Sequence, residues 1–446
     1  MDCKGLKVFN NGEVLKKDVL VIGGGITGIG LFRDLALHGI DCHLVDKGDF
    51  CSQTSSASSK MLHGGIRYLA NLDFALVKEA LEEKNLWLKL TPHLCYEEKF
   101  FLPTYKTSAY PLFISKLGVK LYDLLSHFQN TPSGWLSKKE LLKEVPTLNP
   151  NGLKGAVYYF DAVMDDTKLG LECLYDALIE NNASCSSYTE VISIKQTDEG
   201  YEVMIQDSLT GNEAKILAKD IACCLGPFTD KFLQKVGIDW IDRSVPNKGI
   251  HLWLKEGIIQ LSHPLVLQNK DGRVIFVIPQ KEAILVGTTE KITSEEFFDI
   301  APTQVEINYL LEILKQYFNI HISEEDIIGS YAGVRPLVRD GHSDISEVSR
   351  HHKEFQLEDN FYVIMGGKYT TFRRMVQKTA KSLVHKRENS YDITKTMNPL
   401  RQTSIIKPFQ LQDISEEDIF KIKQEEIVRT DEDIYKRRIN LPTFNN

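Results

Sequence analysis

The run Asp18-Val19-Leu20-Val21-Ile22 flows directly into Gly23-Gly24-Gly25-Ile26-Thr27-Gly28, and no other feature narrows the fold of this chain so far. A β-branched apolar run of this kind reads as a buried parallel strand. The G-x-G-x-x-G after it predicts a tight turn into a helix, and Ile29 to His38 has the apolar spacing of one. Cys42-His43-Leu44-Val45-Asp46 reads as a second strand, which completes a βαβ unit of the usual ~30 residues. Gly23 permits the turn, Gly25 lets a pyrophosphate approach the backbone, and Gly28 lets helix pack on strand. The helix N-terminus offers free N–H groups to the phosphates. Asp46, 18 residues beyond Gly28, stands where a carboxylate accepts hydrogen bonds from a ribose. Strand, turn, helix and acid together predict dinucleotide binding in an α/β fold, without separating FAD from NAD.

Composition removes other classes. The 446 residues carry 53 Lys+Arg against 61 Asp+Glu, a net charge of −8, and there is no long basic run, so nucleic acid is not the expected partner. With 42% apolar and 26% charged residues the chain is an ordinary globular one, long enough for two or three domains or a bipartite enzyme. No stretch reaches the ~18 apolar residues of a spanning helix. The longest candidate, Val19 to Phe32, holds five glycines and stops at Arg33 and Asp34. Met1 to Lys17 lacks the apolar core and small-residue site of a secretion signal. The eight cysteines form no Cys-x-x-Cys pair, so reduced thiols are expected rather than a disulfide framework or a metal site.

Further elements follow from pattern. Leu72 to Leu90 is an amphipathic helix. Tyr201 to Ile205, Lys215 to Leu225, His251 to Leu254, Val274 to Ile278 and Ala283 to Val286 read as strands. Gln304 to Phe318 is a helix with Pro302 and Thr303 at its start. Phe361 to Met365 is another buried strand ending in paired glycines, and the polar chain after Lys386 closes with a helical stretch around Glu416 to Lys436.

Two further motifs carry chemistry. Thr54-Ser55-Ser56-Ala57-Ser58-Ser59-Lys60 leads into His63-Gly64-Gly65-Ile66-Arg67-Tyr68. A serine cluster is ordinarily a solvated loop; with glycines, His, Arg and Lys beside it, it also suits a loop pressed against a cofactor. Gly366-Gly367-Lys368-Tyr369-Thr370-Thr371 repeats the order strand, glycine, helix, either for packing or to aim a helix N-terminus at the electron-rich edge of a reduced flavin. A glycine-rich turn near each end of the chain suits a flavoprotein better than a simple NAD dehydrogenase.

Taken together, these residues resemble the FAD-dependent glycerol-3-phosphate dehydrogenases, within the D-amino-acid-oxidase-like flavoproteins. The resemblance runs from about Lys17 to Arg374. Its most specific piece is Ser55 to Leu69, supported by Lys248-Gly249-Ile250-His251, Phe276-Val277-Ile278-Pro279, Gly287-Thr288-Thr289-Glu290, Gly333-Val334-Arg335-Pro336-Leu337 and Gly366-Gly367-Lys368.

The resemblance implies an α/β fold with an α+β cap. A doubly wound, Rossmann-like FAD domain would use residues 17–105, 151–245 and 330–385. An antiparallel-sheet substrate domain would use 106–150 and 246–329, and 386–446 would be a short helical tail. It implies non-covalent FAD and oxidation of sn-glycerol 3-phosphate to dihydroxyacetone phosphate, with electrons passed to a quinone. Arg67, Tyr68, Thr288, Arg335 and Lys368 would bind substrate. Thr54, Ser55, Ser56, Gly64, Gly65, Gly226, Gly366, Gly367, Lys368 and Thr370 would join Gly23, Gly25, Gly28 and Asp46 at the cofactor. His251, Arg67, Arg335, Lys368 and His63 would be catalytic. Arginine supplies the bidentate fork that a phosphate dianion needs, and His251 or His63 the base for the C2 hydroxyl.

Three departures stand out. Cys223-Cys224-Leu225-Gly226-Pro227 replaces the family's Ala-Thr-Gly-Pro, Glu290 stands where Asp is usual, and the C-terminal part is short although Glu425 to Leu441 resembles the family's tail. The resemblance places the protein in the cytoplasm and leaves open a homodimer and a peripheral contact with the inner face of the cytoplasmic membrane. Tyr110 to Leu125, apolar with spaced lysines, suits either a bilayer interface or a buried helix of the cap. Two other readings of the whole chain remain: a soluble oxidase using oxygen, and a flavin-binding protein of the same fold without this activity.

Overall fold

The predicted first strand extends over Leu15–Ile22, and its last four residues are buried. It pairs in parallel with Cys42–Val45 on one side and Glu213–Cys223 on the other. Parallel strands need a crossover, and Ile26–Leu37 supplies it, a helix with ten of its twelve residues buried. This computed structural model describes Phe9 and residues 14–269, 273–280, 282–294, 298, 300–339, 352–407 and 414–440. Cys3, nearly all of the chain before residue 14, and Leu441 lie outside that set.

The first sheet joins eight described strands in the order His352–Glu358, Phe361–Gly366, Glu213–Cys223, Leu15–Ile22, Cys42–Val45, Ala183–Ser186, with Thr189–Thr197 and Gly200–Asp207 attached through Glu213–Cys223. The Ile26–Leu37 helix packs on the Asp166–Leu178 helix over an apolar core that includes Val19, Val21, Leu35, Leu169 and Phe372. Arg33, which ends the apolar run in the sequence, is buried there because Nε donates to Asp176 Oδ2 at 2.7 Å.

The second sheet joins ten described strands and is mostly antiparallel. Its longest ladders pair Cys95–Tyr105 with Leu153–Met164, and Ser244–Lys255 with Ile327–Val338. Cys95–Tyr105, Leu153–Met164 and Ile327–Val338 all join this second sheet, each paired in register along most of its length. The Gln304–Tyr317 helix covers this sheet and starts as predicted, with Thr303 capping and Glu306 bonding back.

The C-terminal stretch departs from a single helix. Glu416–Glu425 is helical, the chain then extends, and Asp431–Asp433 leads into a wide helical turn over Ile434–Ile439. The break lets Glu426 accept from the Tyr175 hydroxyl at 2.8 Å and from Ile405 N–H at 3.0 Å.

Candidate active site

The turn after the first strand has the geometry its glycines predict. A Cβ on Gly28 would lie 1.8 Å from Gly23 O, so only glycine lets the helix start this close to the strand. Asp46 follows the second strand, and both carboxylate oxygens accept backbone N–H groups, from Gly24 at 2.6 Å and Gly48 at 2.8 Å. Burial raises its pKa to about 6 despite these bonds. Lone pairs remain for a ribose hydroxyl.

Beside this turn opens a cavity of about 1700 Å³ that reaches from Asp46 to Lys368 and His251. That exceeds the ~300–1,000 Å³ of a site for one small molecule, and leaves room for a dinucleotide together with a substrate. Gly23, Gly25, Thr54, Ser55, Gly65, Gly226, Gly366, Gly367 and Thr370 line it. Ser55 Oγ accepts Ile26 N–H at 2.9 Å, a neutral partner that leaves the positive end of the helix for phosphate. Thr54 donates to Val334 O at 2.8 Å, and Thr370 Oγ1 accepts His63 N–H at 3.2 Å.

Three cations converge at the far end. Arg335 Nη2 donates to Thr288 Oγ1 at 2.8 Å, while Nη1 donates to Asn247 Oδ1 at 3.1 Å and Thr289 O at 3.3 Å. These are neutral acceptors. Glycine at 249 makes room for the guanidinium, since a Cβ there would meet Arg335 Nη2 at 2.4 Å. Arg67 lies 3.8 Å from Glu290 and donates to the Tyr68 hydroxyl at 3.3 Å. Lys368 Nζ is buried with no hydrogen-bond partner among the described residues, 3.8 Å from the centre of the Tyr68 ring. Burial, then Arg67, bring its pKa down to about 7. Burial also lowers the pKa of Arg335.

His251 completes the group. Its Nε2 lies 2.9 Å from Ser59 Oγ, its ring stacks on Tyr331 at 4.9 Å, and Nδ1 is buried with no partner among the described residues. Burial, Arg335 and Lys60 hold it well below an ordinary histidine pKa, so the ring is neutral and one nitrogen keeps a lone pair. His63 also lines the cavity, and burial, Lys368 and Arg67 lower it to about 3.

The remaining motif residues lie off the cavity. Gly28 supports the turn, Ser56 turns its hydroxyl to Gln53 O at 3.0 Å, and Gly64 packs against Leu81 while donating to Asp161 at 3.1 Å. Sequence reasoning also passed over several partners. Ser59 is indistinguishable from its neighbours in a serine run, and Asn247 sits one residue before a motif. Asp166, buried, pins the serine loop by taking Lys60 Nζ at 2.7 Å and Ser58 Oγ at 2.7 Å; only the oddity of a lysine in a serine run signalled it.

Comparison with known proteins gives the family. Residues 18–371 match the model of the FAD dependent oxidoreductase family, and the chain belongs to that family. It is 31% identical over 430 residues to the mitochondrial glycerol-3-phosphate dehydrogenase of Schizosaccharomyces pombe, covering 88% of this chain and 64% of that one. It is 32% identical over 363 residues to the aerobic glycerol-3-phosphate dehydrogenase of Bacillus subtilis, covering 81% and 65%. The chain thus spans less than two thirds of these relatives' own length. The structure of the Bacillus halodurans glycerol-3-phosphate dehydrogenase complexed with FAD superposes with a TM-score of 0.72 at 25% identity, covering 90% of this chain and 71% of that one.

Proposed function

We propose that the protein oxidises sn-glycerol 3-phosphate to dihydroxyacetone phosphate, with FAD as its cofactor, held non-covalently, and a quinone as the final electron acceptor. The observation that carries this reading is the meeting of Arg67, Arg335 and Lys368 with a neutral His251 in the cavity that begins at the dinucleotide turn. The residues fit the cofactor: Gly23 to Gly25 leave the helix N-terminus open to a pyrophosphate, Asp46 faces the ribose end, and Gly366 to Lys368 flank the opposite end. When bound, FAD supplies an acceptor for the hydride on C2. The protein does the rest. Arg335, pre-oriented by Thr288 and Asn247, grips the phosphate, with Arg67 as second ligand and Lys368 on the rim shared with the cofactor. His251, steadied by Ser59 and Tyr331, takes the C2 hydroxyl proton, and His63, which lines the same cavity, is the second candidate for that task.

The second sheet and its covering helices serve as the substrate domain in this reading, and the first sheet as the FAD domain. The Leu112–Leu125 helix supports a lipid-borne acceptor. It borders the cavity through Ile114 and Leu121, and exposes Phe113 at 63% and Leu117 at 64%, with Lys116 beside them. An apolar face with lysines suits peripheral contact with the inner face of the cytoplasmic membrane. Among the described residues no helix is long and apolar enough to cross a membrane.

Purified protein should be yellow, release its colour on acid precipitation, and bleach anaerobically far faster with glycerol 3-phosphate than with glycerol at the same concentration. Equal bleaching by both, or by neither, would remove the phosphate from the reading.

A further inference from the structure

Three residues past Asp46, the carboxylate of Asp49 is 2% exposed and shared by two arginines from the other end of the chain. Arg438, fully buried, meets both of its oxygens, with Nη2 at 3.0 Å from Oδ1 and Nη1 on Oδ2. Arg437 Nε also donates to Oδ2, and its Nη2 is balanced by Asp433 at 2.6 Å. A second tie runs through Tyr188. Its backbone N–H donates to Gly48 O at 2.8 Å, and its hydroxyl donates to Asp433 Oδ1 at 2.6 Å. Beyond the arginines, Asn440 Nδ2 donates to Asp165 Oδ1 at 3.0 Å.

The opposite side of the same loop is sewn to the glycine turn. Gly24 and Gly48 N–H groups hold the two oxygens of Asp46, and Cys51 N–H donates to Gly24 O at 2.9 Å. Residues 46–51 are therefore caught between the dinucleotide turn and the C-terminal segment. Gly48 N–H fixes one of the two Asp46 oxygens, and Gly48 is held through Tyr188 and by the anchoring of Asp49. Buried ion pairs with this geometry tolerate little displacement.

We propose that residues 429–440 are a strap that aims Asp46, with Asp49, Arg437 and Arg438 as positioning residues for the adenosine end of the cofactor cleft. This rests on the reading that Asp46 meets the cofactor ribose. Strap docking and nucleotide binding are then linked, and each strengthens the other.

The test uses full-length protein stripped of FAD, with Asp49→Asn, Arg438→Lys and, as control, Asp46→Ala. FAD affinity is measured by quenching of flavin fluorescence, and ADP, which carries only the adenosine end, is measured as competitor. Asp49→Asn and Arg438→Lys should each weaken both FAD and ADP by about ten-fold, within the range of linked sites. Hydrogen exchange of the unmodified apoprotein supplies a measurement independent of any variant's folding: ADP should slow exchange at 429–440 as well as at 46–51. Variants that melt earlier yet bind FAD and ADP as tightly as the parent would make the strap merely structural and overturn the proposal. So would exchange at 429–440 that ignores ADP. Unchanged binding by Asp46→Ala would instead remove the ribose reading itself.

Discussion

Two groups of arginines sit in this molecule under opposite electrostatic conditions. Arg437 and Arg438 are buried among Asp49, Asp433 and Glu426; burial pulls against their charge, but the carboxylates outweigh it and raise both pKa values. Arg335 meets a threonine, an asparagine and a carbonyl, and its pKa falls through burial, with neighbouring Arg67 adding to the fall against Glu290. Lys368, beside Arg67, drops to about 7. A cation neutralised by the protein holds the protein together. Cations gathered without full neutralisation are poised for an anion the protein does not supply.

The sharpest way to break this contrast is to remove one arginine from each group. Arg438→Met leaves Asp49 with less than its due charge in a buried site and should cost about 3–5 kcal/mol in urea unfolding. Arg335→Met should leave unfolding nearly unchanged or slightly improved, as expected where function was bought with stability. Equal losses from both would erase the distinction.

Asp46→Ala probes the cofactor end. Removing the carboxylate proposed to accept ribose hydrogen bonds should weaken FAD retention by ~1–3 kcal/mol, read as flavin lost on gel filtration. Retention equal to the parent's would place the ribose elsewhere.

The smallest expected effect is a pH dependence. Burial and Arg67 lower Lys368, so in the substrate-free protein it is charged below about pH 7 and loses its proton as pH rises through that value. An anion favours the charged form, so affinity for glycerol 3-phosphate should decline above pH 7, by no more than about ten-fold per pH unit. Lys368→Met should flatten that decline; a slope that survives the substitution would assign it to another group.

What the sequence made legible followed from local rules. The strand, turn and helix of Leu15–Leu37 were readable because glycine geometry, apolar spacing and strand chemistry act over a few residues. The Thr303 cap of Gln304–Tyr317 was readable for the same reason. The motif residues brought to the cavity come from eight separated segments, and beyond the glycine turn and Asp46 their resemblance to one family, rather than any spacing, grouped them beforehand. Illegible features depend on pairing across long distances. Nothing in the run Cys95–Tyr105 says which sheet it joins; that is decided by Leu153–Met164 in register. Asp49 looks like a loop acid until Arg437 and Arg438 arrive from nearly 400 residues away. The end of the C-terminal helix at Glu425 is set by the partners that Glu426 finds at Tyr175 and Ile405.

The central claim is that Arg335 is the phosphate clamp of the cavity. Its most direct test compares kcat/KM for glycerol 3-phosphate and for glycerol, with a dye as acceptor, in the FAD-loaded parent and in Arg335→Lys. Lysine keeps the charge and loses the bidentate fork. At ~1.5–3 kcal/mol for a charged hydrogen bond, efficiency on glycerol 3-phosphate should fall by roughly ten- to a hundred-fold, while the weak turnover of glycerol should hardly change. An equal fall on both substrates would contradict the account and leave Arg67 as the candidate phosphate ligand.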